Sequence, residues 1–482
     1  MSFNPVRIVS TVLLALLLLG VIAPLAIPSS AQRVDPSKVA IELISFEEGV
    51  SFLVEASRFE ELARVKWYGS DGTALSAKLL EDPVASRFAA NVVWKNTITF
   101  AATDIAIRVY WTVKDRVGYS PDPYSFISYD SLWVLALAIA YAGGPEDVDK
   151  VADMVWKVLE TYEGATGKIR LNEFGDRAGS DYAIFAPVIV GGKVEWRMVE
   201  LYDFARDTIV KVEKDPFAER PATLPTALPK FSPPPKPAPT PVREITIGAL
   251  YPLTGDLATF GKANVEALKI ALEDVNKWFE ENGYPWRFKL DIRDSETKPA
   301  TAKSLFRALH GAGVRYFLGP MSSGELKELV ADIGAGFKAV VISPSSTSPV
   351  LAIKDTVFRF PPPDDFQGRV LNMLYKNDGV THIIIVYRND DWGKGLADFI
   401  KAYAKEFGIT IVDAIPYDPK APGFGALVET VRAKVRDLTV APTPTPTPTP
   451  TTPAPGVSPA LIAAIVVIVI VVAAIAYYLL RR

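Results

Sequence analysis

The sequence contains no cysteine, which excludes disulfides, thiolate metal sites and a lipidated-cysteine anchor. Histidine is nearly as scarce. His310 and His382 are the only two, and a metal centre needs several converging ligands, so both read as incidental residues on a helix and a strand. The formal net charge of -3 leaves no basic field for a polyanion, so no nucleic-acid partner is expected. There is no G-x-S-x-G elbow, no Walker A loop, no H-E-x-x-H and no histidine triad, so nothing supports an enzyme, a metal or a cofactor. The acidic pairs Glu47 with Glu48 and Asp364 with Asp365 are explained more cheaply by a solvated face or a helix N-terminus than by acid–base chemistry.

What is abundant is apolar sequence, 49% of 482 residues, enough for two compact lobes. Arg7 is followed by an apolar run, Ile8–Ile27, then Pro28 and the small residues Ser29, Ser30 and Ala31. This is a signal-peptide pattern over residues 1–31 with cleavage after Ala31, the other reading being an uncleaved anchor. Ala460–Leu480 is free of charge and, at about 1.5 Å per residue, long enough to cross a hydrocarbon layer of roughly 30 Å. The expectation is a transmembrane helix over 460–480, with Arg481 and Arg482 inside and the rest of the mature chain outside the cell membrane. The Thr/Pro tract of residues 441–459 reads as a stiff stalk. A second Pro-rich stretch, residues 221–243, divides the exterior part into segments 32–220 and 244–440.

From Ile245 onward, strands and helices alternate: strand Ile245–Leu250, helix Ala263–Glu281, strand Phe288–Asp294, helix Ala300–Gly311, and so on to strand Ala339–Ser343. That alternation predicts parallel sheets with helices on both faces. A second set, strand Ile383–Tyr387, helix Gly395–Phe407, strand Thr410–Ile415 and helix Gly425–Asp437, stops after two strands. The front segment supplies the next ones, strands Val39–Ser45 and Val65–Tyr68, and later helices Ser131–Ala142 and Asp147–Leu159. Joined tail to head, the two segments make one α/β domain of two Rossmann-like lobes, closed within one chain or by two chains exchanging halves.

Several stretches carry a resemblance. IGALYPLTGDLATFG (Ile247–Gly261), YFLGPMSSGE (Tyr316–Glu325), VISPSSTSP (Val341–Pro349), FRFPPPDDFQG (Phe358–Gly368) and DWGKGLADF (Asp391–Phe399) resemble the successive first-half elements of ABC-transporter substrate-binding proteins of the branched-chain amino acid type. VAIELISFEEG, KWYGSDGTAL, DPYSFISYDSLWVLALAI and GATGKIRLNEFGDRAG, in the front segment, resemble that family's later elements in their usual order. The resemblance therefore implies that the two halves have exchanged places: a periplasmic binding protein type I fold, circularly permuted.

An amino-acid site needs donors for the carboxylate, an anion for the ammonium and a wall for the side chain. The loops Gly319–Gly324 and Ser343–Ser348 come after strands, where free N–H groups ahead of a helix favour an anion. The resemblance implies side-chain bonds from Ser323 and Thr347 and a backbone bond from Ser345, while Ser322 and Ser346 serve equally well as N-caps. Asp71, in the GSDG turn, is the candidate ammonium partner, its rival role being that of an ordinary Asp-Gly turn residue. Phe260 and Trp392 stand where the family places aromatics and are expected to close from opposite lobes or to pack between them. Ser45 and Phe46 are weaker candidates. The family implies an extracellular receptor that takes up a branched-chain amino acid or similar small amino acid or amide and delivers it to membrane permease subunits. The alternative is a ligand-less envelope protein or sensor ectodomain on the same fold.

Overall fold

A computed structural model describes residues 33–439, with Val467 and Val471 as isolated positions beyond them. The expected signal peptide and stalk, and all of the helix expected over 460–480 but Val467 and Val471, lie outside the described residues. Among the described residues one helix, Tyr124–Ala142, is apolar and long enough to span a membrane, but 94% of its apolar window is buried inside the protein. It is a core helix, and it begins seven residues before the predicted Ser131 start, the intervening Tyr124–Asp130 stretch being buried as well. Gly143, at φ 85°, ends it in the left-handed conformation open to glycine.

In chain order the strands are β1 (Val39–Ile44), β2 (Lys66–Gly69), β3 (Lys95–Phe100), β4 (Asp181–Val190), β5 (Lys193–Asp203), β6 (Thr208–Lys211), β7 (Arg243–Tyr251), β8 (Trp286–Asp294), β9 (Tyr316–Leu318), β10 (Val340–Ser343), β11 (Val357–Arg359), β12 (His382–Arg388) and β13 (Thr410–Tyr417). A two-stranded hairpin pairs Glu163–Gly164 with Gly167–Lys168. The larger sheet runs β13-β12-β1-β2-β3-β4-β5-β6 and the smaller β8-β7-β9-β10-β11. The smaller sheet is parallel throughout. The larger is parallel from β13 to β3 and antiparallel beyond.

Each segment of sequence contributes to both lobes. The front segment gives β1 to β6 to the larger sheet, yet its long helix Tyr124–Ala142 packs on helix Ala258–Glu281 and on β9 and β10 of the smaller one. The back segment builds the smaller sheet and then returns β12 and β13 to the edge of the larger. β1 pairs with β12 over the whole of Val39–Ile44 against His382–Tyr387, in parallel and within one chain. Both strands are runs of Val, Ile and Leu buried on two faces, the pattern of central parallel strands. Glu42 is the exception in β1 and receives a hydrogen bond from Tyr375 at 2.7 Å.

The chain passes between lobes at residues 101–103, 178–180 and 361–363. Two of these passages are clamped together. The Arg359 guanidinium grips Asp176, with Nε 2.6 Å from Oδ1, both side chains being 1% exposed. The fourth connection is the Pro-rich stretch, an ordered strap. Phe217 inserts against Tyr110 with centroids 4.5 Å apart, Lys230 exchanges two backbone bonds with Glu163, and Phe231 packs on Trp278.

Candidate functional site

Between the lobes a narrow cavity is lined from both sides. The larger-sheet lobe contributes Phe46, Asp71, Gly72 and Trp392. The smaller-sheet lobe contributes Leu257, Phe260, Met321, Ser322, Ser323 and Ser345, with Tyr124 from the long core helix. Six of the eight residues singled out in the sequence therefore meet in one place: Asp71, Phe46, Trp392, Phe260, Ser323 and Ser345. Ser45 and Thr347 are buried but do not line the cavity. Ser45 lies behind it, its hydroxyl directed at the start of helix Gly49–Ala56.

Asp71 sits in a turn just after β2 and is 4% exposed. Its Oδ2 accepts from the Tyr124 hydroxyl at 2.6 Å, while Oδ1 is buried with no protein partner. Burial pushes its carboxyl up to about 6, against the Tyr124 hydrogen bond, which favours the charged form. A carboxylate with one oxygen committed and one free is poised for a cationic group. Gly72 is required by close approach: a Cβ there would stand 2.5 Å from the Ser45 carbonyl oxygen and 2.7 Å from the Trp392 ring.

Opposite stands the N-terminus of helix Ser323–Gly334. Ser322 is its N-cap and forms a capping box with Glu325, so it both caps the helix and faces the cavity. The Ser323 and Gly324 N–H groups, at the first turn, have no intrahelical acceptor. Ser323 Oγ accepts from Thr347 N–H at 3.2 Å and Ser348 N–H at 3.1 Å, which leaves its own proton to donate. Ser345 Oγ donates to the Met321 carbonyl at 2.7 Å. The second loop does not lead into the expected α-helix. Ser348 precedes only a three-residue 3-10 turn, Pro349–Leu351, so the dipole comes from the first loop alone. Thr347 turns toward Asp364, whose N–H donates to its carbonyl at 3.0 Å, and the Thr347 hydroxyl has no close acceptor.

Both acidic pairs stand at helix starts, but Glu47 and Asp364 are buried rather than solvated. Asp364 is the first residue of helix Asp364–Asn377, fully buried with neither carboxylate oxygen bonded, and burial, with the charge of Asp71 added, holds its carboxyl far above the usual range. Glu47 is 2% exposed and accepts from Thr259 at 2.6 Å and Ser76 at 2.8 Å. Since Thr259 belongs to the smaller-sheet lobe, this bond spans the cleft. So do Arg388 to Asp256 at 2.9 Å, Lys327 to Asp391 at 2.7 Å and Ser348 Oγ to the Asp391 carbonyl at 2.9 Å. The lobes are closed on each other. Ser322, expected equally as a contact or an N-cap, caps its helix and lines the cavity; Gly72, Tyr124, Leu257 and Met321 complete the lining without having been singled out as ligand contacts, and of these Gly72, Leu257 and Met321 neighbour expected residues or loops, whereas nothing local distinguishes Tyr124. Among the described residues no cluster of metal-ligating side chains occurs.

Fold and cavity define a two-lobed α/β protein with a cleft between its lobes. Residues 244–451 match the family model described as periplasmic binding protein, and residues 26–188 the one described as receptor family ligand binding region. The chain belongs to the periplasmic binding protein type I family, among the branched-chain amino acid substrate-binding proteins, a non-enzymatic, solute-binding family. It is 39% identical over 198 residues to the uncharacterized protein MJ1266 of Methanocaldococcus jannaschii, covering 40% of this chain and 47% of the relative. To the Leu/Ile/Val-binding protein BraC3 of Rhizobium johnstonii it is 30% identical over 204 residues, covering 42% and 55%. An ABC transporter substrate-binding protein from Desulfitobacterium hafniense, solved in complex with Leu, matches at 28% identity and a TM-score of 0.32, covering 40% of this chain and 56% of that one. The chain thus spans about half the length of the curated relatives it matches.

Proposed function

We propose that this chain is the receptor of an ABC importer, capturing an amino-acid-type solute in the cleft and presenting it to permease subunits in the membrane. The observation that carries the reading is the free, buried Oδ1 of Asp71 facing the N-terminus of helix Ser323–Gly334. An ammonium on Asp71 and a carboxylate on the Ser322–Gly324 amides, with the Ser323 hydroxyl, satisfy both poles of a zwitterion. Hinge closure then buries the solute, and the cross-cleft bonds of Glu47, Arg388 and Lys327 hold the closed form.

The fold is read as circularly permuted, with 244–440 the first half and 32–220 the second. The parallel pairing of β1 with β12 within one chain supports this, as does the order of the two family matches. We read 1–31 as a signal peptide, 441–459 as a stalk and 460–480 as a membrane anchor, which together hold the binding domain outside the cell. The test is a thermal-shift screen of the purified chain with amino acids, amides and urea. A ligand at 100 times its Kd adds about 2.7 kcal/mol to stability, so a true solute raises the melting temperature measurably. A chain that melts unchanged with every one of them is instead the ligand-less interaction protein.

A further inference from the structure

A second cavity, of about 570 Å3, shares no lining residue with the first. Its size falls within the range of about 300 to 1,000 Å3 that houses small organic ligands. Leu75, Phe185 and Trp196 of the larger-sheet lobe form one side. The other is helix Asp104–Val117, which packs on helix Ala258–Glu281 of the smaller-sheet lobe and contributes Tyr110 and Lys114. Phe217, stacked on Tyr110, completes the wall.

Tyr110, Phe185, Trp196 and Phe217 are all buried, and the two with polar groups have spent them inside the protein. The Trp196 indole N–H donates to the Ser76 carbonyl at 3.0 Å, and the Tyr110 hydroxyl donates to Ser120 Oγ at 2.9 Å. These residues therefore offer the cavity ring surface. The carboxylates around it are committed as well. Glu195 pairs with Arg197 at 2.6 Å, and Asp215 accepts from the Phe217 N–H at 2.9 Å and the Met198 N–H at 3.2 Å. Asp115, on the same helix as Lys114, pairs with Arg220 at 2.6 Å. Among the described residues Lys114 makes no ion pair: its half-buried ammonium stands over the Trp111 and Tyr110 rings, 4.8 and 5.5 Å from their centroids. Burial lowers its pKa, and the charges of Glu195 and Asp215 do not restore it.

An unpaired cation beside an aromatic-walled cavity is complemented by an anion carried on a flat apolar body, which supplies the missing charge and covers the exposed ring surface. We propose that this cavity is a second binding site, for an aromatic carboxylate or sulfonate, with its anionic group on Lys114 and its ring among Tyr110, Trp196 and Phe217. The proposal goes beyond the amino-acid reading of the cleft and does not rest on it, since the two cavities have no residue in common.

The experiment is a fluorescence titration of the full chain with anilinonaphthalene sulfonate, an aromatic anion that brightens in an apolar site, with benzoate and its neutral isostere benzamide as competitors. The expected result is saturable binding of one probe per chain, with benzoate displacing it about tenfold or more better than benzamide. Lys114→Gln is expected to weaken the probe about tenfold or more, whereas Lys114→Arg keeps the charge and most of the affinity. Ala77→Phe, which adds a ring to the cavity wall, is expected to abolish binding. Asp71→Ala, in the cleft, is expected to leave the probe unaffected. No saturable binding, benzamide competing as well as benzoate, or a folded Lys114→Gln chain that binds like the wild type overturns the proposal. A probe lost with Asp71→Ala sits in the cleft and overturns it too. If Lys114→Gln does not fold, the benzoate–benzamide ratio on the wild-type chain decides.

Discussion

The amide of Val34 donates to the carbonyl of Leu438 at 3.0 Å. Residues separated by nearly the whole described chain are thus hydrogen-bonded neighbours, Val34 just ahead of β1 and Leu438 at the end of helix Gly425–Thr439. A permuted domain has this property where its former continuous chain has been opened. A chain rebuilt to run from Glu244 through Leu438, across a short Gly/Ser link, into Val34 and on to Glu219, which keeps β6 and Phe217, should fold with the same sheets and bind the same solute. Circular dichroism and ligand-induced thermal shift check this. A relinked chain that is soluble but lacks cooperative melting contradicts the permuted reading.

Asp71 and Tyr124 make the most direct test of the site. If Asp71 holds an ammonium, Asp71→Ala removes the partner of a desolvated charge and should cost about 3 to 5 kcal/mol of binding. Tyr124→Phe leaves the carboxylate in place but loses the 2.6 Å bond, and should cost about 1.5 to 3 kcal/mol, the range for a hydrogen bond to a charged group. Titration calorimetry separates the two. A turn aspartate with no ligand role would leave Kd unchanged in the Asp71 variant while lowering melting temperature.

Affinity should fall in acid. The Asp71 carboxyl is raised to about 6 by burial, so below that pH the unliganded site is neutral and an incoming ammonium must displace a proton. Binding should be flat above about pH 6 and weaken by up to about tenfold per unit below it, with proton release in that range. For the free protein the sign is opposite. A raised carboxyl contributes stability that is full below its ordinary value near 3.8 and is lost as pH rises through about 6. Glu42, raised to about 8 by burial, titrates above this window. Asp71→Asn should remove the acid limb of the affinity profile; if the limb persists in that variant, another group titrates.

The alternation of apolar strands and helices was readable because the buried centres of parallel strands, such as Val39–Ile44 and 383–386, are dominated by Ile, Val and Leu. Helix Asp104–Val117 and β3 escaped notice because β3, KNTITF, has polar residues whose burial is decided by distant partners: Gln367 donates to the Thr97 carbonyl at 3.1 Å. The site shows the same division. Asp71, Ser323 and Ser345 sit in loops with their own turn chemistry, whereas Tyr124 reaches the cavity only because its helix crosses from one lobe's sequence to the other lobe's core. The burial of Asp364 and Glu47 was hidden for a related reason. A carboxylate at a helix start is solvated by default, and only closure of the second lobe over it says otherwise.

The strap gives the last prediction. As a bare tether, residues 221–243 would contribute little beyond the entropy of joining two ends. Instead, Phe217 just ahead of them is 5% exposed, stacked on Tyr110 at 4.5 Å and in contact with Phe126 at 5.6 Å and Phe100 at 5.8 Å. Phe231 further on meets Trp278 at 5.0 Å and Trp133 at 5.6 Å. Phe217→Ala should therefore destabilise the domain by about 3 to 5 kcal/mol, read from urea midpoints at unchanged slope. Phe231→Ala, at a partly exposed position, should cost less. Because both anchors lie away from the lining of the cleft cavity, solute affinity at low denaturant should hold steady in each. A loss below about 1 kcal/mol for Phe217→Ala means that the strap is detached in solution and that the closure between the segments depends on the sheets alone.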